Sequence, residues 1–162
     1  PFGDLLALAR RRWVAQMTGG VEAMGYAGYR RSDAVVLRLL RRGPLSIGRL
    51  GEALGVTRQA ARKTAEGLAR RGFATVERDE HDSRQINVAL NAGGEAYCEA
   101  IVTVIDRLNG DLVRQVDPAD LDGCDAVLRA VLGGEHDRWL AATLPGPPPR
   151  AAPAHARSQR RT

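Results

Sequence analysis

This sequence predicts a mainly α-helical chain with one small β-hairpin, an α+β protein, and three features of its 162 residues carry that prediction. Apolar residues recur at three- and four-residue intervals over most of the chain. The period drops to two on either side of one polar turn after Gly72. A single apolar stripe of about six helical turns then follows.

The elements follow in chain order. Phe2, Leu5, Leu6, Ala9, Trp13, Val14 and Met17 share a helical spacing with Arg10, Arg11 and Arg12 on the polar side, which predicts an amphipathic helix over 4–17 that Gly19-Gly20 weakens or kinks. A second helix is expected over 32–41, with Ser32 as N-cap and Val35, Val36, Leu39 and Leu40 as its apolar face, stopped by Gly43-Pro44. Two short helical segments follow, Ile47–Leu54 and Arg58–Arg71, separated by Gly55-Val56-Thr57, and Gly72 stands where a C-terminal glycine belongs. Phe73, Thr75 and Glu77 then alternate with Ala74, Val76 and Arg78, and Ile86, Val88 and Leu90 alternate with Asn87 and Ala89, so two strands flank the turn at Asp79–Ser83.

A long helix starts near Asn91 and carries Tyr97, Ile101, Val104, Ile105, Leu108 and Leu112 as one stripe, which needs a partner surface. Asp117-Pro118 is a cap followed by proline at the first helical position, and Leu121, Cys124, Leu128, Val131 and Leu132 form the next apolar face, with Trp139 and Leu140 extending it beyond Gly133-Gly134. From Pro145 the chain is rich in proline, alanine and arginine without apolar periodicity, so 145–162 is expected to be a disordered basic tail.

Length and charge narrow the function. At roughly 100–200 residues per domain the chain makes one domain, with no room for a second catalytic one. Residues 1–90 hold 16 Lys/Arg against 9 Asp/Glu, residues 91–144 hold 4 against 10, and 145–162 hold 4 against none. A basic front, an acidic later part and a net charge of +5 favour a polyanionic partner on one face, or else an unevenly charged solvated surface. Nearly all the cations are arginine, Lys63 being the one lysine, as bidentate phosphate and guanine contacts or GC-rich coding would both give.

Cys98, Cys124, His81, His136 and His155 lack metal-ligand spacing, and neither a nucleophile elbow nor a phosphate-binding glycine loop is present, so no enzyme, cofactor or metal is expected. There is no apolar run of membrane-spanning length, and a cytoplasmic protein is expected.

The helix, turn and helix at 47–71 carry the functional signal. Crossing helices need a small residue at the contact and a turn residue that tolerates a left-handed backbone, and Gly51 and Gly55 stand four apart. Ile47, Leu50, Leu54, Val56, Ala61, Ala65 and Leu68 fall inward, while Arg58, Gln59, Arg62, Lys63 and Glu66 fall outward. Thr57 caps the second helix, whose free amides favour a phosphate. Arg58 and Gln59 would then face base edges in a major groove, arginine suiting guanine and glutamine adenine. Alone, the same pattern also fits an ordinary helical hairpin with a solvated basic face.

The order and spacing of Leu54-Gly55-Val56-Thr57-Arg58, Leu68, Arg71-Gly72-Phe73, Asp82-Ser83-Arg84 and Val88-Ala89-Leu90 resemble the MarR family of dimeric transcriptional regulators, over roughly residues 26–97. The resemblance implies a winged helix-turn-helix lobe at 29–90 flanked by dimerisation helices at 1–28 and 91–144. It implies that Asp82 orders the wing and that Arg84 reaches towards the minor groove, with Arg78 assisting at a phosphate. The chain departs from the family in Asn91 and Gly93-Gly94 before the long helix, and in the alanines Ala60, Ala61 and Ala65 of the second helix, so an operator sequence does not carry over.

A homodimer on a pseudo-palindromic operator in double-stranded DNA is implied as well, the stripes at 4–17, 97–112 and 121–132 being what an interface needs. So is a repressor released by a small apolar or phenolic effector, with Trp13, Met17, Met24, Tyr26, Tyr29 and Val36 as pocket candidates that serve equally well as core filler. A sequence-neutral architectural DNA binder and a protein-interaction module are the alternative functions.

Overall fold

The computed structural model describes residues 1–79, 82 and 84–134. Helix α1 (Phe2–Ala23) leads into α2 (Arg31–Leu40), a two-residue strand β1 (Leu45–Ser46), α3 (Ile47–Leu54), α4 (Arg58–Arg70), the hairpin β2 (Ala74–Arg78) and β3 (Ile86–Leu90), then α5 (Ala92–Val113) and α6 (Pro118–Leu132). The three strands form an antiparallel sheet in the order β1-β3-β2, in register at Leu45↔Val88 and Val76↔Val88.

One core holds the fold together. Val36, Leu37 and Leu40 of α2, Ile47 and Leu50 of α3, Ala61, Ala65 and Leu68 of α4 and Val88 of β3 fill the lobe, continuous with Met17 and Val21 of α1 and Tyr97, Ile101, Val104 and Leu108 of α5. Each aliphatic side chain fully buried there contributes about 1.5–3 kcal/mol of hydrophobic driving force.

Several expectations change. Helix α1 runs unbroken through Gly19-Gly20, because Gly20 is buried against Val104 and tertiary packing there outweighs the low helix propensity of glycine. Ser32 is not the cap of α2: the helix begins at Arg31, and the Asp33 carboxylate accepts the Arg30 N–H at 3.0 Å. β1 joins the expected hairpin as a third strand. Phe73 precedes β2 rather than opening it. Val56, expected inward, is 43% exposed in the turn.

The stripe on α5 is buried at Tyr97, Ile101, Val104 and Leu108, but Leu112 is exposed, and no residue of α6 is buried within the chain. Asp117 caps α6 as its sequence predicts, its carboxylate accepting the Ala119 N–H at 2.9 Å. Trp139, Leu140, His81, His136, His155 and the tail at 145–162 lie outside the described residues.

Candidate nucleic-acid interface

Sequence dictates the helix-turn-helix locally. The Ser46 hydroxyl opens α3 by accepting the Arg49 N–H at 3.2 Å, and Gly55 closes it in the left-handed conformation at φ +64° that its lack of Cβ permits. At Gly51 the turn passes so near that a Cβ would stand 3.1 Å from the Val56 carbonyl oxygen, so glycine here sets the helix crossing. Thr57, extended at ψ 153°, accepts the Ala60 N–H on Oγ1 at 3.2 Å and starts α4. The helix then buries Ala61, Ala65 and Leu68 and leaves Arg58, Gln59, Arg62 and Lys63 exposed. Arg62 is paired along the helix with Glu66, Nε to Oε1 at 2.8 Å.

Two carboxylates close the hairpin. Asp79 Oδ1 accepts the Asp82 N–H at 3.0 Å, Asp82 Oδ1 accepts the Arg84 N–H at 3.0 Å, and the Asp82 carbonyl accepts the Gln85 N–H at 2.8 Å. Asn87 Nδ2 donates to Asp79 Oδ2 at 2.7 Å and ties the turn to β3. The Arg84 side chain stands out from this frame into solvent. Arg78 is exposed at the end of β2, beside a smaller cleft of about 300 Å³.

Between this wing, α3 and the start of α4 lies a cleft of about 700 Å³ lined by Arg49, Arg58 and Arg84 together with Glu52, Asp82 and Asn87. The three arginines make no ion pair among the described residues. Three free guanidinium groups on one concave surface, beside the free amides of a helix N-terminus, suit an extended polyanion. Arg49 is the member sequence reasoning missed; its position three residues after the Ser46 cap, on the first helix of the pair, was the signal available.

The other predicted positions disperse. Met17 and Val36 are buried in the core, Trp13, Tyr26 and Tyr29 pack half-buried against it, and Met24 is exposed. Neither cleft is lined by any of these six. Burial raises the Tyr29 hydroxyl pKa above its ordinary value, helped by the nearby Asp33 charge. Among the described residues no three His, Cys, Asp or Glu side chains are grouped to hold a metal, and no helix is long and apolar enough to cross a membrane.

Sequence reasoning also missed a buried carboxylate with four hydrogen-bond donors. Asp33 is 1% exposed, and its carboxylate accepts Arg71 Nη1 at 2.9 Å, Arg71 Nη2 at 2.7 Å, the Tyr97 hydroxyl at 2.8 Å and the Arg30 N–H. The Arg71 guanidinium pKa is raised chiefly by this hydrogen bonding, and the Tyr97 phenol is raised first by burial and then by Asp33.

A helix, glycine-closed turn and capped second helix with an antiparallel wing define a winged helix-turn-helix protein. Residues 27–85 match the sequence model of the MarR family. The chain resembles a cysteine-to-serine mutant of E. coli MarR solved with operator DNA (19% identity, TM-score 0.68, covering 82% of this chain and 94% of that one). It resembles the S. aureus MepR–DNA complex equally (19%, TM-score 0.68, 82% and 96%). Bordetella bronchiseptica BpsR, whose DNA binding is regulated by 6-hydroxynicotinic acid, matches at 25% identity and TM-score 0.65, over 81% of this chain and 92% of that one. No curated protein matches the sequence. Over residues 27–85 the chain is similar to the MarR family, and its fold is the one these solved structures share.

Proposed function

We propose that this protein is a sequence-specific regulator of transcription that binds double-stranded DNA as a homodimer. The cleft joining Arg49, Arg58 and Arg84 carries the reading, because it sets the exposed start of α4 and the wing on one surface. In this reading α4 enters the major groove, Arg58 and Gln59 meet base edges, Thr57 and the first amides of α4 meet a phosphate, Lys63 and Arg62 follow the backbone, and Arg84 enters the minor groove with Arg78 at a flanking phosphate. Arg62 exchanges Glu66 for a phosphate, at small cost for an exposed pair. The two relatives solved with DNA support the assignment.

The second copy is supported by what one chain leaves uncovered: Phe2, Leu5 and Leu8 of α1, Leu112 and Val113 of α5 and Val127, Val131 and Leu132 of α6 are all exposed. Burying them in a two-fold dimer places two copies of α4 on a pseudo-palindromic operator, about one DNA turn apart. Repression released by a small apolar or phenolic effector is the mode of regulation, supported by the ligand-regulated relative BpsR. Trp13 and Tyr29, half-buried, are the pocket members a ligand reaches first; Tyr26 is packed, ring tilted, against Tyr97 with centroids 4.8 Å apart, and Met17 and Val36 require the core to open.

Capture of fragmented genomic DNA by the purified protein at about 150 mM salt, where phosphate-only binding is weakened, tests this reading. Enrichment of a few pseudo-palindromic sites is expected. Even recovery across the genome would make the protein an architectural binder, and no recovery would make the lobe a protein-interaction module.

A further inference from the structure

The turn by which α4 ends is held by the first two turns of α5 at three points. Asn91, the N-cap of α5, donates from Nδ2 to the Gly72 carbonyl at 3.0 Å while its Oδ1 accepts the Gly94 N–H at 2.9 Å. Gly94 lies on the Phe73 carbonyl so tightly that a Cβ would stand 1.9 Å from its oxygen, which accounts for the second glycine of the Gly93-Gly94 pair. One turn on, the Tyr97 ring stacks on Phe73 with centroids 4.3 Å apart, and its hydroxyl reaches Asp33, whose two oxygens grip the Arg71 fork.

Aromatic stacking alone lets a ring slide and tilt, because the contact is broad and weakly directional. A buried carboxylate with four directed donors does not, since each lost bond leaves a polar group unsatisfied in a low-dielectric site. The polar network therefore sets the angle at which α4 leaves α5.

That angle matters because the same α5 runs on to the exposed end at Leu112 and Val113. From Tyr97 to Leu112 is about 22 Å at ~1.5 Å per residue. A tilt of about 10° at the clamp moves the recognition helix by roughly 4 Å against the far end of that lever, more than the ~3.4 Å axial rise of one base pair in duplex DNA.

We infer that Asp33 and Tyr97 are positioning residues for DNA binding: acting through Arg71, they fix the angle between α4 and α5 and thereby the half-site spacing that the dimer accepts. This rests on the proposed function, and neither residue needs to touch DNA.

The test compares wild type with Tyr97→Phe, which keeps the ring and its stacking and removes one O–H. Both full-length proteins are titrated against the captured operator, versions with its half-sites one base pair closer and one further apart, and an isolated half-site. Wild type should prefer the native spacing sharply. Tyr97→Phe should hold half-site affinity within about twofold while losing about tenfold on the native operator, a loss on the scale of one or two net hydrogen bonds, and its spacing preference should flatten. Arg71→Lys, which keeps the charge but not the fork, should flatten it likewise. An unchanged spacing preference in both variants, with only the melting temperature lowered, would make the network purely structural and overturn the inference. Wild type that binds no sequence selectively would overturn the regulator reading and this one with it.

Discussion

Gly20 of α1 lies against Val104 of α5 so closely that a Cβ on the glycine would stand 2.7 Å from Val104 Cγ1. Val104 is itself buried, so the contact has little room to give. The close approach joins the N-terminal helix to the long one, and a continuous α1 follows from it.

Gly20→Ala should therefore destabilise the protein by about 1–2 kcal/mol, overpacking outweighing the gain in helix propensity. Gly19→Ala, where nothing lies within 4 Å, should stabilise it by about 0.5–1 kcal/mol. Urea unfolding at one fixed protein concentration checks both, and equal effects of the two alanines would remove the packing explanation.

In the wing, Arg84→Ala is expected to weaken operator binding by about 1–3 kcal/mol, the range of a good groove contact. Asp82→Ala frees the Arg84 N–H at an exposed turn, so it should barely change stability yet weaken binding in the same direction. If Asp82 acts on DNA through Arg84, adding Asp82→Ala to Arg84→Ala should do nothing more, which a double-mutant cycle of affinities measures directly.

Tyr97 sets the alkaline behaviour. Its phenol pKa is raised in the folded chain, so the stability it confers is complete below a pH of about 10 and is lost progressively as pH rises above that, where the unfolded chain ionises first. Denaturation followed across this range should show wild type losing stability more steeply than Tyr97→Phe. Parallel curves would mean that the hydroxyl is not held as described.

Cys98 is fully buried, and burial raises its thiol pKa against the opposing pull of Arg41. Iodoacetamide at neutral pH should leave Cys98 unmodified in the folded protein and label it once denaturant is added, as peptide mass mapping would show. Labelling without unfolding would contradict the burial of this thiol.

Much of this molecule was legible in its sequence, for physical reasons that can be named. Thr57, Asn91 and Asp117 each announced a helix start by an oxygen placed to cap it, and all three accept the expected N–H. Gly51 and Gly55 announced the crossing and the turn because no other residue meets both demands. β1 was invisible, since two residues show no period. Asp33 carried no signal of its own, because its partners Arg71 and Tyr97 lie 38 and 64 residues away. Val56 was placed inward by its position in the helix-turn-helix, yet the turn that Gly55 makes leaves it outside. In the cleft, Arg58 and Arg84 were legible through cap and turn, whereas Arg49 is brought beside them only by the fold.

The proposed function turns on whether the exposed start of α4 reads a DNA sequence. Equilibrium titration of wild type and Gln59→Ala against the captured operator and a scrambled duplex of equal length, at one salt concentration, tests it most directly, because this substitution removes no charge. Wild type should favour the operator by about a thousandfold or more, and Gln59→Ala should lose about 1–3 kcal/mol on the operator with its scrambled-duplex affinity unmoved. Equal affinity of wild type for both duplexes, or an operator affinity indifferent to Gln59, would contradict the assignment of α4 as the reading helix.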